Sequence, residues 1–195
     1  MQERKADISR VTGETNVHIA IDLDGTGKAD IHTGIGFFDH MLNSFARHGL
    51  FDLTVDVKGD LEVDSHHTIE DTGIVLGQAI RQAVGDKKGI RRFGDCMLPM
   101  DETLMLCALD LSGRPYLKFY MPLTVPKVGD FDTEMVHEFF YAVSYGAEMN
   151  LHLKMLDGEN NHHIIEAAFK AFAKALDKAV QYDDRIQEVL STKGS

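Results

Sequence analysis

"VDSHHTIED" (Val63 to Asp71) and "NNHHIIEA" (Asn160 to Ala167) decide the architecture, because each carries two adjacent histidines with a glutamate three residues after the second. The HHxxE motif begins at His66 and again at His162, 96 residues further on in a chain of 195. A unit that recurs at half the chain length implies two related halves. "AIDLDG" (Ala20 to Gly25) pairs with "ALDLSG" (Ala108 to Gly113), and "FFDHML" at Phe37 pairs with "FFYAVS" at Phe139, in the same order.

Periodicity changes in step within each half. Val17, Ile19, Ile21 and Leu23 alternate with other residues before Asp24 and Gly25, and "KADIHT" follows, which predicts a hairpin. Phe38, Met41, Leu42 and Phe45 have helical spacing, with Gly49 as the stop. Phe51, Leu53, Val55 and Val57 then alternate as a half-buried strand ended by Gly59, and a second helix carries Ile69, Leu76, Ile80 and Ala83. The second half repeats this order. Strands are expected around Leu104 to Leu111 and Tyr116 to Met121, a helix from about Glu134 to Ala147, and a strand in "MNLHLKM". The last helix presents Ile165, Phe169, Phe172, Leu176 and Ala179 on a core face. The expected class is α+β, two pseudo-symmetric repeats of strands followed by helices fused as one compact subunit. One repeat covers 1–90 and the other 91–195, with the boundary near Lys88 to Arg92.

The 44% hydrophobic and 26% charged composition suits a packed core and argues against disorder. A net charge of −11 argues against a broad nucleic-acid or anionic-membrane surface, so any phosphate site must be built locally. Cys96 and Cys107 form no CxxC pair or secretory framework, which favours a reducing compartment and buried thiols. "MQERKADISR" holds no apolar run of signal-peptide length, and nowhere do about 18 apolar residues run together. A cytoplasmic protein is expected.

In each motif a residue able to cap a helix precedes the histidines: Asp64 or Ser65, then Asn160 or Asn161. Both motifs are therefore expected on first helical turns. His66 and Glu70 would share a face, whereas His67 is rotated by about 100° and points elsewhere. One motif can thus contribute to two metal ions. The positive end of the helix dipole favours neutral imidazole and ionised carboxylate, the forms that bind metal. Imidazole with one carboxylate per set suits manganese, iron or zinc better than calcium or magnesium. His40 and His137, on the preceding helix of each half, complete two sets of three histidines and one glutamate. His18, His32, His48 and His152 have no such place in the repeat and are read as structural or surface residues.

The chain resembles the imidazoleglycerol-phosphate dehydratase family along nearly its whole length, through "GIGFFDHML", "RHGLFDL", "DSHHTIEDTGI", "RFGDCMLPMDE", "DLSGRP", "EFFYAVS", "NNHHIIEAAFKAFAKAL" and "STKG". The resemblance implies a duplicated, ribosomal S5 domain 2-like fold. It also implies two manganese ions per active site and self-association into a 24-mer with active sites between subunits. Carried over position by position, His40, His66, His67, Glu70, His137, His162, His163 and Glu166 match the family's metal ligands. Which histidine joins which ion stays open: pairing of His66 with Glu70 and His162 with Glu166 is one arrangement, with His67 or His163 as the alternative partner. The resemblance points to Arg92, Arg114, Lys170, Ser191 and Lys193 for the substrate phosphate and to Glu14 for proton transfer. At Ser44 the sequence departs from the family, in which many members carry Gln.

The implied reaction dehydrates imidazole glycerol phosphate to imidazole acetol phosphate in histidine biosynthesis. It removes the hydroxyl next to the imidazole ring and a proton from the adjacent carbinol carbon. That proton is weakly acidic, so electrons must be drawn through the ring, which two metals can do. Two other classes fit a doubled His/Glu motif. A dinuclear metallohydrolase would usually be richer in carboxylates, and a metal store would need neither Glu14 nor a phosphate cluster.

Overall fold

Val17, Ile19 and Ile21 alternate with Asn16, His18 and Ala20, so the strand that carries them buries one face and leaves the other partly solvated. In the computed structural model, which describes residues 3–192, this is β2 (Thr15–Asp22). It follows β1 (Lys5–Val11) and precedes β3 (Ala29–His32), α1 (Gly36–Gly49), β4 (Asp52–Gly59) and α2 (His66–Val84). The second half runs β5 (Phe93–Met100), β6 (Thr103–Asp110), β7 (Tyr116–Tyr120), the short β8 (Lys127–Val128) and β9 (Phe131–Asp132), then α3 (Met135–Gly146), β10 (Asn150–Asp157) and α4 (Asn161–Val180). The two large sheets have corresponding orders, β1-β2-β4-β3 and β5-β6-β10-β7.

The expected hairpin between β2 and β3 does not form. β2 pairs antiparallel with β1 and β4, while β3 lies parallel to β4, Ala29 opposite Leu53. The Asp24–Gly25 stretch opens a loop that Asp52 fastens to β4: its Oδ1 accepts the Thr26 and Lys28 N–H groups at 2.7 and 2.9 Å. α1 then makes the crossover that two parallel neighbours require. β7 likewise pairs in parallel with β10.

β1 and β5 join the strands that the sequence pattern predicts, and both are edge strands. β1 buries only Ala6 fully, and β5 contains Gly94 and Pro99. Proline is tolerated at an edge because its missing N–H has no ladder partner there. Gly94 is required by packing, since a Cβ there would lie 1.8 Å from the Ala175 carbonyl oxygen.

Each sheet is covered by its own helices, and the helices of the two halves pack on each other, α2 on α3 and α1 on α4. The result is a sheet–helix–helix–sheet stack. α4 buries the expected stripe and also Ala167, Ala168, Ala171 and Ala175, because it has a sheet on one side and α1 on the other. At the α2–α3 crossing the backbones nearly touch. A Cβ on Gly77 would come 2.6 Å from the Val143 oxygen. Phe45 of α1 stacks on Phe172 of α4, centroids 5.3 Å apart.

The matched phenylalanine pairs, Phe37–Phe38 and Phe139–Phe140, do not occupy equivalent places. α1 and α3 end at Gly49 and Gly146, 97 residues apart, and His40 and His137 have the same separation. The helix ends therefore align the two histidines. Gly49 serves packing, with the Phe51 ring where its Cβ would stand, and the left-handed residue is Leu50, at φ 60°.

Candidate metal and substrate site

Both HHxxE motifs open helices. Asp64 Oδ1 accepts the His66 N–H at 2.7 Å, and Asn160 Oδ1 accepts those of His162 and His163 at 2.9 and 3.4 Å. The other two capping candidates work elsewhere: the Ser65 hydroxyl donates to Asp132, and Asn161 holds Thr124.

At the start of α4, Glu166 Oε2 lies 3.1 Å from His162 Nε2 and 3.3 Å from His40 Nε2. One ligand atom from each of these residues falls within 4.8 Å of the others, the one such group among the described residues. Two imidazole nitrogens and a carboxylate oxygen fit a borderline divalent ion. The group joins the halves, His40 coming from α1 of the first and the others from α4. Phe37 backs it, its ring centroid 5.0 Å from that of His162. Burial pushes the Glu166 carboxyl up, but the Lys170 ammonium, 2.5 Å from Oε1, and the two imidazoles outweigh it and hold the group below its usual value.

The corresponding group on α2 is looser. His66 Nε2 stands 3.5 Å from Glu70 Oε2, but His137 turns away, with Nδ1 2.9 Å from Glu138 and its ring against Phe119 and Tyr141. The second histidine of each motif faces a different carboxylate. His67 Nδ1 is 3.0 Å from Asp60, and its Nε2 is 3.7 Å from Glu14. His163 Nδ1 is 2.8 Å from Glu102. These contacts raise the His67 and His163 pKa values, and the His163 contact followed by the Asn160 N–H pulls the Glu102 carboxyl down to about 2. Asp60 and Glu102 escaped the sequence reading. The available signal was that Glu102 stands one residue before Thr103, as Glu14 stands before Thr15.

Glu14 sits on the β1–β2 turn. Thr12 Oγ1 accepts the Glu14 and Thr15 N–H groups at 3.2 and 3.0 Å, and the Thr15 hydroxyl donates to buried Asp71, which also pairs with Arg10. The turn that carries Glu14 is thereby tied to α2.

The cationic residues divide. Lys170 is held on Glu166. Arg92 forks onto Asp110 at 2.7 and 3.1 Å, donates to the Leu190 carbonyl at 2.6 Å, and lines an open cleft of about 760 Å³ with Arg114 and Ser191. Lys193 lies outside the described residues. Ser44 is buried in α1. His18 pairs with Asp7, His32 with Asp30, and His152 lies near Tyr116, all apart from the motifs. Burial lowers the pKa of His48.

Residues 33–176 match the family model described as imidazoleglycerol-phosphate dehydratase. The chain belongs to the imidazoleglycerol-phosphate dehydratase family. It is 68% identical over 192 residues to the imidazoleglycerol-phosphate dehydratase of Lachnoclostridium phytofermentans, covering 98% of each chain. The enzyme of Acetivibrio thermocellus is 62% identical, again over 98% of both chains. Among solved structures, the dehydratase of Staphylococcus aureus superposes with a TM-score of 0.83 at 42% identity, covering 92% of this chain and 99% of that one. The Pyrococcus furiosus structure gives 0.82 at 35% identity, covering 96% and 99%. The α+β class and its duplicated order thus agree with the architecture of the family.

Proposed function

We propose that His40, His66, His67, Glu70, His137, His162, His163 and Glu166 hold two manganese ions per active site, and that Arg92, Arg114, Lys170, Ser191 and Lys193 bind the substrate phosphate. The reaction is that of the family: a carbon–oxygen hydro-lyase step of histidine biosynthesis, from imidazole glycerol phosphate to imidazole acetol phosphate. A metallohydrolase or a metal store is set aside by that membership.

Bound manganese supplies Lewis acidity toward the imidazole ring of the substrate. The chain supplies the rest. Glu14, beside His67 on a turn pinned by Asp71, takes the proton from the carbinol carbon as the neighbouring C–O bond breaks. The electron pair of the C–H bond becomes the double bond of an enol, hydroxide leaves as water after protonation, and the enol tautomerises to the ketone. Arg92, held rigid by Asp110, directs the guanidinium charge of the cleft, and charge-assisted contacts there fix the phosphate.

The observation that carries the metal reading is the meeting of His40, His162 and Glu166 across the halves. It is tested by loading the purified protein with manganese and following imidazole acetol phosphate. Formation that follows manganese content supports the reading, and full activity in metal-free protein overturns it.

Geometry also supports a shared site. The motifs open α2 and α4, of 19 and 20 residues, so the far ends of these helices lie about 28 and 30 Å away. The cationic cleft is at those far ends: the Arg92 N–H donates to the Ala179 carbonyl at 2.9 Å, and Lys87, just past α2, flanks Gly113. A small phosphate ester cannot bridge that distance, which supports the reading that the cleft of one copy serves the motifs of another, with 24 subunits as the proposed assembly. The placement proposed is the cytoplasm, in keeping with free Cys96 and Cys107. No helix among the described residues is long and apolar enough to cross a membrane.

A further inference from the structure

The two histidines of each motif are held differently. His66 and His162 turn Nε2 toward the glutamate one turn along their own helix. His67 and His163 instead present Nδ1 to a carboxylate from outside the helix, Asp60 at 3.0 Å and Glu102 at 2.8 Å. An ionised carboxylate only accepts hydrogen bonds, so each of these contacts places the ring proton on Nδ1 and the lone pair on Nε2, whose nearest carboxylates, Glu14 at 3.7 Å and Asp101 at 3.9 Å, stand beyond hydrogen-bond distance.

The two acids do not correspond in the repeat. Asp60 follows the end of β4, whereas the residue following β10 is Gly158. Glu102 stands before β6 where Glu14 stands before β2, yet Glu14 approaches the Nε2 side of His67 and Glu102 the Nδ1 side of His163. Duplication by itself would have copied one arrangement into both halves. Two unrelated positions meet the same requirement, which singles out the requirement: Nδ1 backed by an acid in both second histidines.

We propose that Asp60 and Glu102 are positioning residues that fix the Nδ1–H tautomer of His67 and His163 and so aim each Nε2 at a manganese ion. The proposal rests on the ligand assignment above. Carboxylates behind metal-binding imidazoles typically raise metal affinity ten- to a hundred-fold.

Glu102 also accepts the Asn160 and Glu159 N–H groups through Oε1, at 2.8 and 3.3 Å, so a purely structural role in fastening the loop before α4 must be separated from positioning. Glu102→Gln does so. Its amide oxygen can keep the Asn160 contact, while its NH2 then faces His163 Nδ1 and favours the opposite tautomer. Asp60→Asn, which lies in another loop, is the independent second variant. Manganese affinity is read from the electron paramagnetic resonance of the free ion, together with the thermal melting of metal-free protein and the ring 15N shifts of labelled histidine. The expected result is affinity lower by about ten- to a hundred-fold in each variant, the shifted tautomer at the facing histidine and unchanged metal-free melting. Affinity within about twofold of the parent in both folded variants overturns the proposal, as does lowered affinity that only tracks lowered melting. His163→Ala distinguishes the two levels. If it loses manganese while Glu102→Gln and Asp60→Asn keep it, positioning alone fails. If it retains the parent's manganese affinity, the ligand assignment fails and the proposal with it.

Discussion

Glu14 and His67 show what a sequence discloses about a site and what it withholds. The histidines were legible because they are doubled and because HHxxE on a helix imposes known angles between its members. The acids that complete their surroundings were not, since Asp60 and Glu102 reach the site from a strand end and a turn whose position depends on sheet register. Glu14 is assigned the proton, not the metal, and the two roles separate experimentally. Glu14→Gln should bind manganese as the parent does while kcat falls by about 10²- to 10⁴-fold, the range expected on loss of a general acid–base group. Equilibrium dialysis with metal analysis, paired with a product assay, checks both halves of the statement, and parallel loss of manganese would make Glu14 a ligand.

Arg4 gives a second test at this scale, concerning stability. Its buried guanidinium donates to Asp24 and to the Val180 carbonyl at the end of α4, and lies 4.7 Å over the Tyr182 ring. The hydrogen bond from Arg4 holds the Asp24 carboxyl below its usual range. A depressed carboxylate pKa stabilises the fold above the unfolded value, about 3.9, and the contribution is lost as pH falls through the lower folded value. Chemical denaturation should therefore show a steeper loss of stability below about pH 4 in the parent than in Asp24→Asn. Equal slopes would assign acid sensitivity to other carboxylates.

At the level of elements, strong periodicity marks which segments are helix or strand but leaves their pairing open. The helices and the strands β2, β4, β6 and β10 announce themselves because each has one continuous apolar face against a helix layer. Edge strands bury little, so β1 and β5 carried no such pattern, and an Asp-Gly pair suggested a hairpin where Asp52 draws the loop onto a parallel neighbour. The α2–α3 contact between the halves was equally hidden, because glycines rather than an apolar stripe mark it. Gly77→Leu tests this crossing. With the Val143 oxygen only 2.6 Å from the Cβ position, the side chain must push α2 and α3 apart, and the loss should be about 1–3 kcal/mol or more in urea unfolding. An unchanged midpoint would mean that the crossing is looser than described.

For the whole molecule, the two ends of the helix layer differ in chemistry: HHxxE motifs at the starts of α2 and α4, a cationic cleft beyond their other ends. If neighbouring subunits share sites in this way, metal should help hold them together, since its removal leaves imidazoles and carboxylates at the contact without their common partner. Light scattering before chelation, after it, and after manganese is returned should show a large particle that dissociates and re-forms. Constant mass while the metal leaves would assign the contact to apolar packing.

If one subunit's phosphate cleft completes another's metal site, two differently disabled subunits should complement each other. Glu14→Gln and Arg114→Ala each disable one end of the subunit, and the two variants can be co-expressed and purified as mixed particles through different tags. If the ends belong to different sites, a site formed by the intact Glu14 of one subunit and the intact Arg114 of its neighbour regains function, and random mixing returns about a quarter of the parent's formation of imidazole acetol phosphate. Mixed particles no more active than the separate variants would place Glu14 and Arg114 in one subunit's site and contradict the account.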